Sequence, residues 1–132
     1  MEEKIKEKVL AYRLAELRLN SLLNDRNILL SDLSEIESTL KSLDEFERAE
    51  EIFFPLASGT YALGKILDKK KVIVSIGANV ALEKNLEEAK EFLNKRKEEI
   101  EKILEKMNEE IARLSLTLKV LEKEIEKGSR NV

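Results

Sequence analysis

Residues Phe53 to Glu83 read FFPLASGTYALGKILDKKKVIVSIGANVALE, and this stretch decides the fold. It contains three of the four glycines, the only proline and the only β-branched runs of the chain. Phe53 to Leu56 opens as a strand, Ala57-Ser58-Gly59 turns it, and Tyr61 to Leu67 reads as a second strand. Gly64 there marks a bulge or a close backbone approach. Asp68-Lys69-Lys70 is a polar turn. Val72 to Ile76 is the clearest strand signal, Gly77-Ala78-Asn79 turns it, and Val80-Ala81-Leu82 is a fourth strand. Pro55 cannot donate to a ladder, so its strand is expected at an edge or paired on its other side. Two short hairpins are marginal in water by themselves, and apolar residues fall on both faces. The economical expectation is an assembly hub whose strands pair with other subunits and close an intersubunit β-barrel. The candidate assembly residues are Phe53, Phe54, Leu56, Tyr61, Leu63, Ile66, Val72, Ile73, Val74, Ile76, Val80 and Leu82.

Upstream, from residue 2 to about 50, no Gly or Pro interrupts the chain. Tyr12, Ala15, Leu19, Leu22, Arg26, Leu29, Leu33, Ile36, Leu40 and Leu43 form an a/d seam in which Arg26 alone is polar. Arg26 reads as a snorkelling side chain that fixes register. Ile5 and Val9 extend the stripe toward the N-terminus. Leu17, Leu23, Ile28 and Leu30 widen it, which implies either more than one neighbour or an apolar surface used for binding. Such a helix spans roughly 70 Å and needs a partner. Downstream, Asn85 is an N-cap with Glu88 as its capping-box partner. Leu86, Leu93, Ile100, Met107, Leu114 and Leu121 recur every seven residues. Ala89 and Ile103 fill the paired position early, and Leu104, Ile111, Leu118 and Ile125 fill it later. That phase change predicts a stutter near Ile100 to Leu104. Gly128 is expected to end the helix, with Ser129 to Val132 frayed.

The expected fold is mainly α with a small β insert: an antiparallel two-helix coiled coil joined through two central β-hairpins. A single domain covers 1–132, with a first helix over 1–51, hairpins over 52–84 and a second helix over 85–127. Its far ends meet near Ile5 and Ile125.

Composition narrows the function. Charged residues are 39% and aromatics 5% of the 132 residues, with a net charge of −3. That balance fits long helices and gives no nucleic-acid footprint and no basic membrane face. The chain has neither cysteine nor histidine. Thiol chemistry is excluded, and the commonest general base and metal ligand are missing. Carboxylates such as Glu98 and Glu99 sit beside lysines as solvated helix pairs. The expectation is a non-enzyme without cofactor or metal. The N-terminus is no signal peptide, and no segment is long enough for a membrane span. The protein reads as soluble and cytoplasmic, and its Lys/Glu richness suits a thermophilic source.

The segments Phe54-Pro55-Leu56-Ala57-Ser58-Gly59-Thr60-Tyr61-Ala62-Leu63-Gly64-Lys65-Ile66 and Lys71-Val72-Ile73-Val74-Ser75-Ile76-Gly77-Ala78-Asn79 carry a resemblance. With Glu83-Lys84-Asn85-Leu86-Glu87-Glu88-Ala89 and Phe92-Leu93, they resemble the α class of prefoldin subunits over about 40 residues. Two hairpins, where the β class has one, favour the α class. Ala78-Asn79-Val80-Ala81 lacks the aromatic that α subunits often carry there, which leaves a divergent α or γ-type paralogue open. The resemblance implies an ATP-independent holdase, a hexamer of two α-type and four β-type subunits. Its coiled-coil tips would capture unfolded client proteins and pass them to a group II chaperonin. Carried to this chain, the tip residues are Ile5, Val9, Leu10 and Tyr12, with Leu114, Leu118, Leu121 and Ile125 opposite. The alternative is a structural coiled-coil or filament-forming subunit without client transfer.

Overall fold

The computed structural model of the protein describes residues 2–130. Helix α1 runs over Glu2–Arg48, strands β1 to β4 over Glu51–Ala57, Thr60–Lys65, Lys71–Gly77 and Val80–Asn85, and helix α2 over Leu86–Arg130. The chain forms two compact units, residues 33–99 and residues 1–32 with 100–132.

In the first unit, α1 ends at Arg48 because Ile52-Phe53-Phe54-Pro55 follows, a β-branched and aromatic run closed by proline. β1 pairs antiparallel with β2, and β3 with β4, as two separate two-stranded sheets. Among the described residues the strands form no closed barrel. Both loops are two residues long with both residues in the left-handed region: Ser58 (φ 45°) with Gly59 (φ 74°), and Ala78 (φ 50°) with Asn79 (φ 61°). That backbone twist matches the flanking strands. The register slips between Pro55 and Ala57 and between Ser75 and Gly77, so the bulges lie there and not at Gly64. Gly64 serves the other role the sequence allowed. A Cβ at this position would run into the Phe54 ring, which lies across the backbone. β2 also stops earlier than the sequence reading, at Lys65. Leu67 sits fully exposed in the following loop, where the Asp68 carboxylate accepts the Lys70 amide at 2.8 Å.

α2 begins with the expected N-cap at Asn85, and the Glu88 carboxylate bonds the Asn85 side chain rather than its backbone amide. The Glu88 amide donates to Asn85 Oδ1 at 2.8 Å, and Asn85 Nδ2 donates to Glu88 Oε1 at 2.9 Å. Asn85→Ala removes both bonds and is expected to cost about 1 kcal/mol, read as a lower urea midpoint of the assembled protein. The α1 and α2 segments of this unit run antiparallel. Lys90 Nζ lies 3.0 Å from Asp44 and 3.1 Å from Glu47, and Lys97 Nζ lies 3.7 Å from Glu37. The hydrogen bonds that the Lys90 ammonium donates to Asp44, and then to Glu47, raise its pKa above the ordinary 10.5. Its contribution is therefore complete below that pH and is lost only as the pH rises beyond it. Ile36, Leu86 and Ala89 are buried, Ala89 completely.

In the second unit, Leu22, Ile100 and Leu104 are buried, and Lys8–Glu124 (3.5 Å) and Arg18–Glu110 (3.1 Å) fix an antiparallel register. Every seam position from Tyr12 to Leu43 on α1 is buried or half-buried, as the heptad reading requires. On α2 two details differ from that reading. Ile103 is exposed while Leu104 is buried, so Ile103 is off the seam. The inward positions run 86, 89, 93, 97, 100, 104 and 107, with Lys97 at the paired position. The phase change therefore falls between Ala89 and Lys97, about one heptad before the predicted place. Gly128 does not end α2, which continues to Arg130. Its missing side chain makes room for a neighbour: a Cβ there would lie 3.0 Å from Ile5 Cγ1. The expected fraying at Asn131 and Val132 lies outside the described residues.

Candidate interaction surfaces

Alternation along each hairpin sorts its side chains onto two faces. In the first hairpin Phe53 opposes Leu63, and Pro55 opposes Tyr61. Phe53, Leu63 and Tyr61 stand on one face and are all exposed, Phe53 to 71%. The other face carries Ile52, Phe54, Ala62 and Gly64, and Ile52, Ala62 and Gly64 are half-buried. Leu56, at the bulge, is exposed, while Ile66, just beyond β2, is half-buried. In the second hairpin Val72 and Val74 are half-buried, with Val74 opposite Leu82. Ile73 points to the other face and is 78% exposed, and Ile76, Val80 and Leu82 are exposed as well. Nine of the twelve candidate assembly residues are thus exposed apolar side chains, and Ile66, Val72 and Val74 are the half-buried three. Small hairpins with uncovered apolar faces and open strand edges are templates for pairing with other strands.

In the unit formed by 1–32 and 100–132, Ile5, Val9 and Tyr12 are half-buried, as are Leu114, Leu118, Leu121 and Ile125. They pack in the seam. Leu10 alone of the candidate tip residues is exposed. The structure adds apolar side chains that counting along one seam overlooks: Leu14, Leu116 and Val120 are exposed on the outward sides of their helices. A second heptad count, offset to the outward positions, is the signal that finds them.

Among the described residues no group of His, Cys, Asp and Glu could hold a metal ion, and no helix is long and apolar enough to cross a membrane. The hairpin faces and strand edges offer apolar contact and strand pairing.

The family model "Prefoldin subunit" matches residues 15–130. The chain belongs to the prefoldin subunit family. A prefoldin subunit alpha of Thermofilum pendens is 39% identical over 66 residues, which cover 48% of this chain and 51% of the relative. Prefoldin subunit alpha 1 of Thermococcus kodakarensis is 31% identical over 96 residues, covering 70% of this chain and 66% of the relative. The chain spans about half to two thirds of the length of these curated prefoldin relatives. A cryo-EM structure of filamentous PFD from Methanocaldococcus jannaschii matches with a TM-score of 0.71, over 90% of this chain and 98% of that one. At 21% identity that likeness is one of fold. It agrees with the order of two long helices around two hairpins, the architecture expected of a prefoldin α-class chain.

Proposed function

We propose that this chain is a subunit of an ATP-independent molecular chaperone, a holdase that keeps non-native proteins from aggregating. The observation that carries the reading is the exposed apolar surface of both hairpins, which a solitary chain leaves in water. Other prefoldin subunits cover it, closing the strands into an intersubunit barrel, with β-type chains as partners in a complex of two α and four β. The distal part of the coiled coil, in the unit of residues 1–32 and 100–132 where Leu10 is exposed, holds unfolded clients for transfer to a group II chaperonin. The site of action is the cytosol, and the work is binding without catalysis.

Apolar segments of an unfolded chain gain about 25 cal/mol for each Å² of apolar area removed from water. A modest patch therefore binds them weakly and without sequence preference. Deleting residues 1–15 and 118–132 from the assembled protein is expected to leave the oligomer mass unchanged. Suppression of light scattering by chemically unfolded lysozyme should fall at least fivefold. Full suppression by the shortened complex would remove the helix ends from the mechanism.

A further inference from the structure

α1 has a second face. Leu10, Leu14 and Leu17 stand at i, i+4 and i+7, away from the seam, exposed to 58%, 58% and 66%. That spacing places them on one side of the helix. Ile28, eleven residues after Leu17, continues the same side and is also exposed. Between them the outward positions are Ser21 and Asn24, and from Leu19 to Ser31 only Asp25 and Arg26 are charged. The facing stretch of α2, Lys102 to Leu114, carries six charges, at Lys102, Glu105, Lys106, Glu109, Glu110 and Arg113. The back of α2 over this stretch is mostly charged, with Ile103 the exposed apolar residue in it. The back of α1 carries Leu10, Leu14 and Leu17 beside Arg13, Glu16 and Arg18, and continues through a stretch with few charges to Ile28.

The occupant follows from the size and rhythm of the patch. A second helix needs an unbroken apolar seam, and Ser21 and Asn24 stand where its repeats would fall. The exposed parts of three leucines and one isoleucine also fall far short of the roughly 800 Å² per partner of a standard interface. A permanent neighbour is therefore disfavoured. An extended apolar segment of a non-native polypeptide has neither requirement. It needs a short apolar strip, and the Asn and Ser side chains beside it can answer its unpaired backbone groups. The seam offers no such room while closed, since Ile5 already fills the space left by Gly128.

We infer that the outward face of α1 from Leu10 to Ile28 captures apolar segments of non-native chains while the seam stays shut. This rests on the holdase reading above and moves the contact from the helix ends to the helix back.

The absence of cysteine permits a clean test. A Cβ at 128 lies 3.0 Å from Ile5 Cγ1, so the two Cβ atoms are at most about 4.5 Å apart, within disulfide reach. The oxidised Ile5→Cys/Gly128→Cys protein, locked shut, should suppress aggregation of chemically unfolded lysozyme within twofold of wild type. Leu10→Gln/Leu14→Gln/Leu17→Gln should lose at least fivefold at unchanged oligomer mass and helicity, and the matching triple Met variant should retain capture. A photo-cross-linker at position 14 should label the lysozyme chain, and one at position 12 should not, a readout independent of how the Gln variant folds. Loss of capture on locking, with the Gln variant active, would place the site in the opened seam. The inference would then fail and the holdase reading would stand. A wild-type protein that suppresses nothing overturns both. An oligomer mass that falls only in the Gln variant would make the face a contact between copies and overturn the inference.

Discussion

Phe53→Asp combined with Leu63→Lys is expected to dissolve the assembled protein into single chains whose helices persist. These two residues oppose each other across β1 and β2. Both point to water in the isolated chain, so the substitution removes little from the fold of the hairpin itself. In an assembly they are covered. Burying each large apolar side chain contributes about 1.5–3 kcal/mol, and forcing a charge into the same contact costs more than is lost with the apolar group. An effect of several kcal/mol per interface corresponds to a loss of at least a thousandfold in association. Native mass measurement should show single chains at micromolar concentration, and circular dichroism at 222 nm should stay near wild type. An intact complex would show that the face of Phe53 and Leu63 is not the assembly surface. Val74 is a poorer probe. It is half-buried opposite Leu82, so a charge there damages the hairpin and the assembly together.

Much of this was legible in the residues. Ten seam positions on α1 followed from counting sevens, because a helix in a two-stranded coil must hide one stripe. The hairpins followed from their turns and β-branched runs. What escaped has physical reasons. Ile103 and Leu104 are adjacent and equally apolar, and only the position of the partner helix chooses between them. Gly128 resembles a helix terminator because glycine stops helices and admits close neighbours for the same reason, its missing Cβ. Ile5, more than a hundred residues away in sequence, selects the second role. Leu14, Leu116 and Val120 escaped because heptad counting seeks one partner, and their exposure appears only once the seam is placed.

The largest effect of opposite sign belongs to Arg26. Arg26→Leu is expected to stabilise the assembled protein by about 1–3 kcal/mol. Arg26 occupies a seam position between Leu22 and Leu29. Its Nη1 donates to Asn108 Oδ1 at 3.3 Å, a long bond, while Nε is buried with no hydrogen-bond partner among the described residues. An unpaired buried donor costs about 1–3 kcal/mol, and the single neutral-acceptor bond returns roughly 1 kcal/mol. Leucine removes the penalty and adds apolar burial of about 1.5–3 kcal/mol at most, and the Asn108 side chain it leaves behind is exposed and finds water. Polar seam residues are often retained because they fix register. Here Lys8–Glu124, Arg18–Glu110 and the seating of Ile5 against Gly128 already specify one register. The Ile5→Cys/Gly128→Cys disulfide should therefore form in the same yield with or without Arg26→Leu, while the denaturant midpoint rises. A lower midpoint would show that the guanidinium is net favourable where it sits. A higher midpoint with a lower disulfide yield would show that Arg26 trades stability for register.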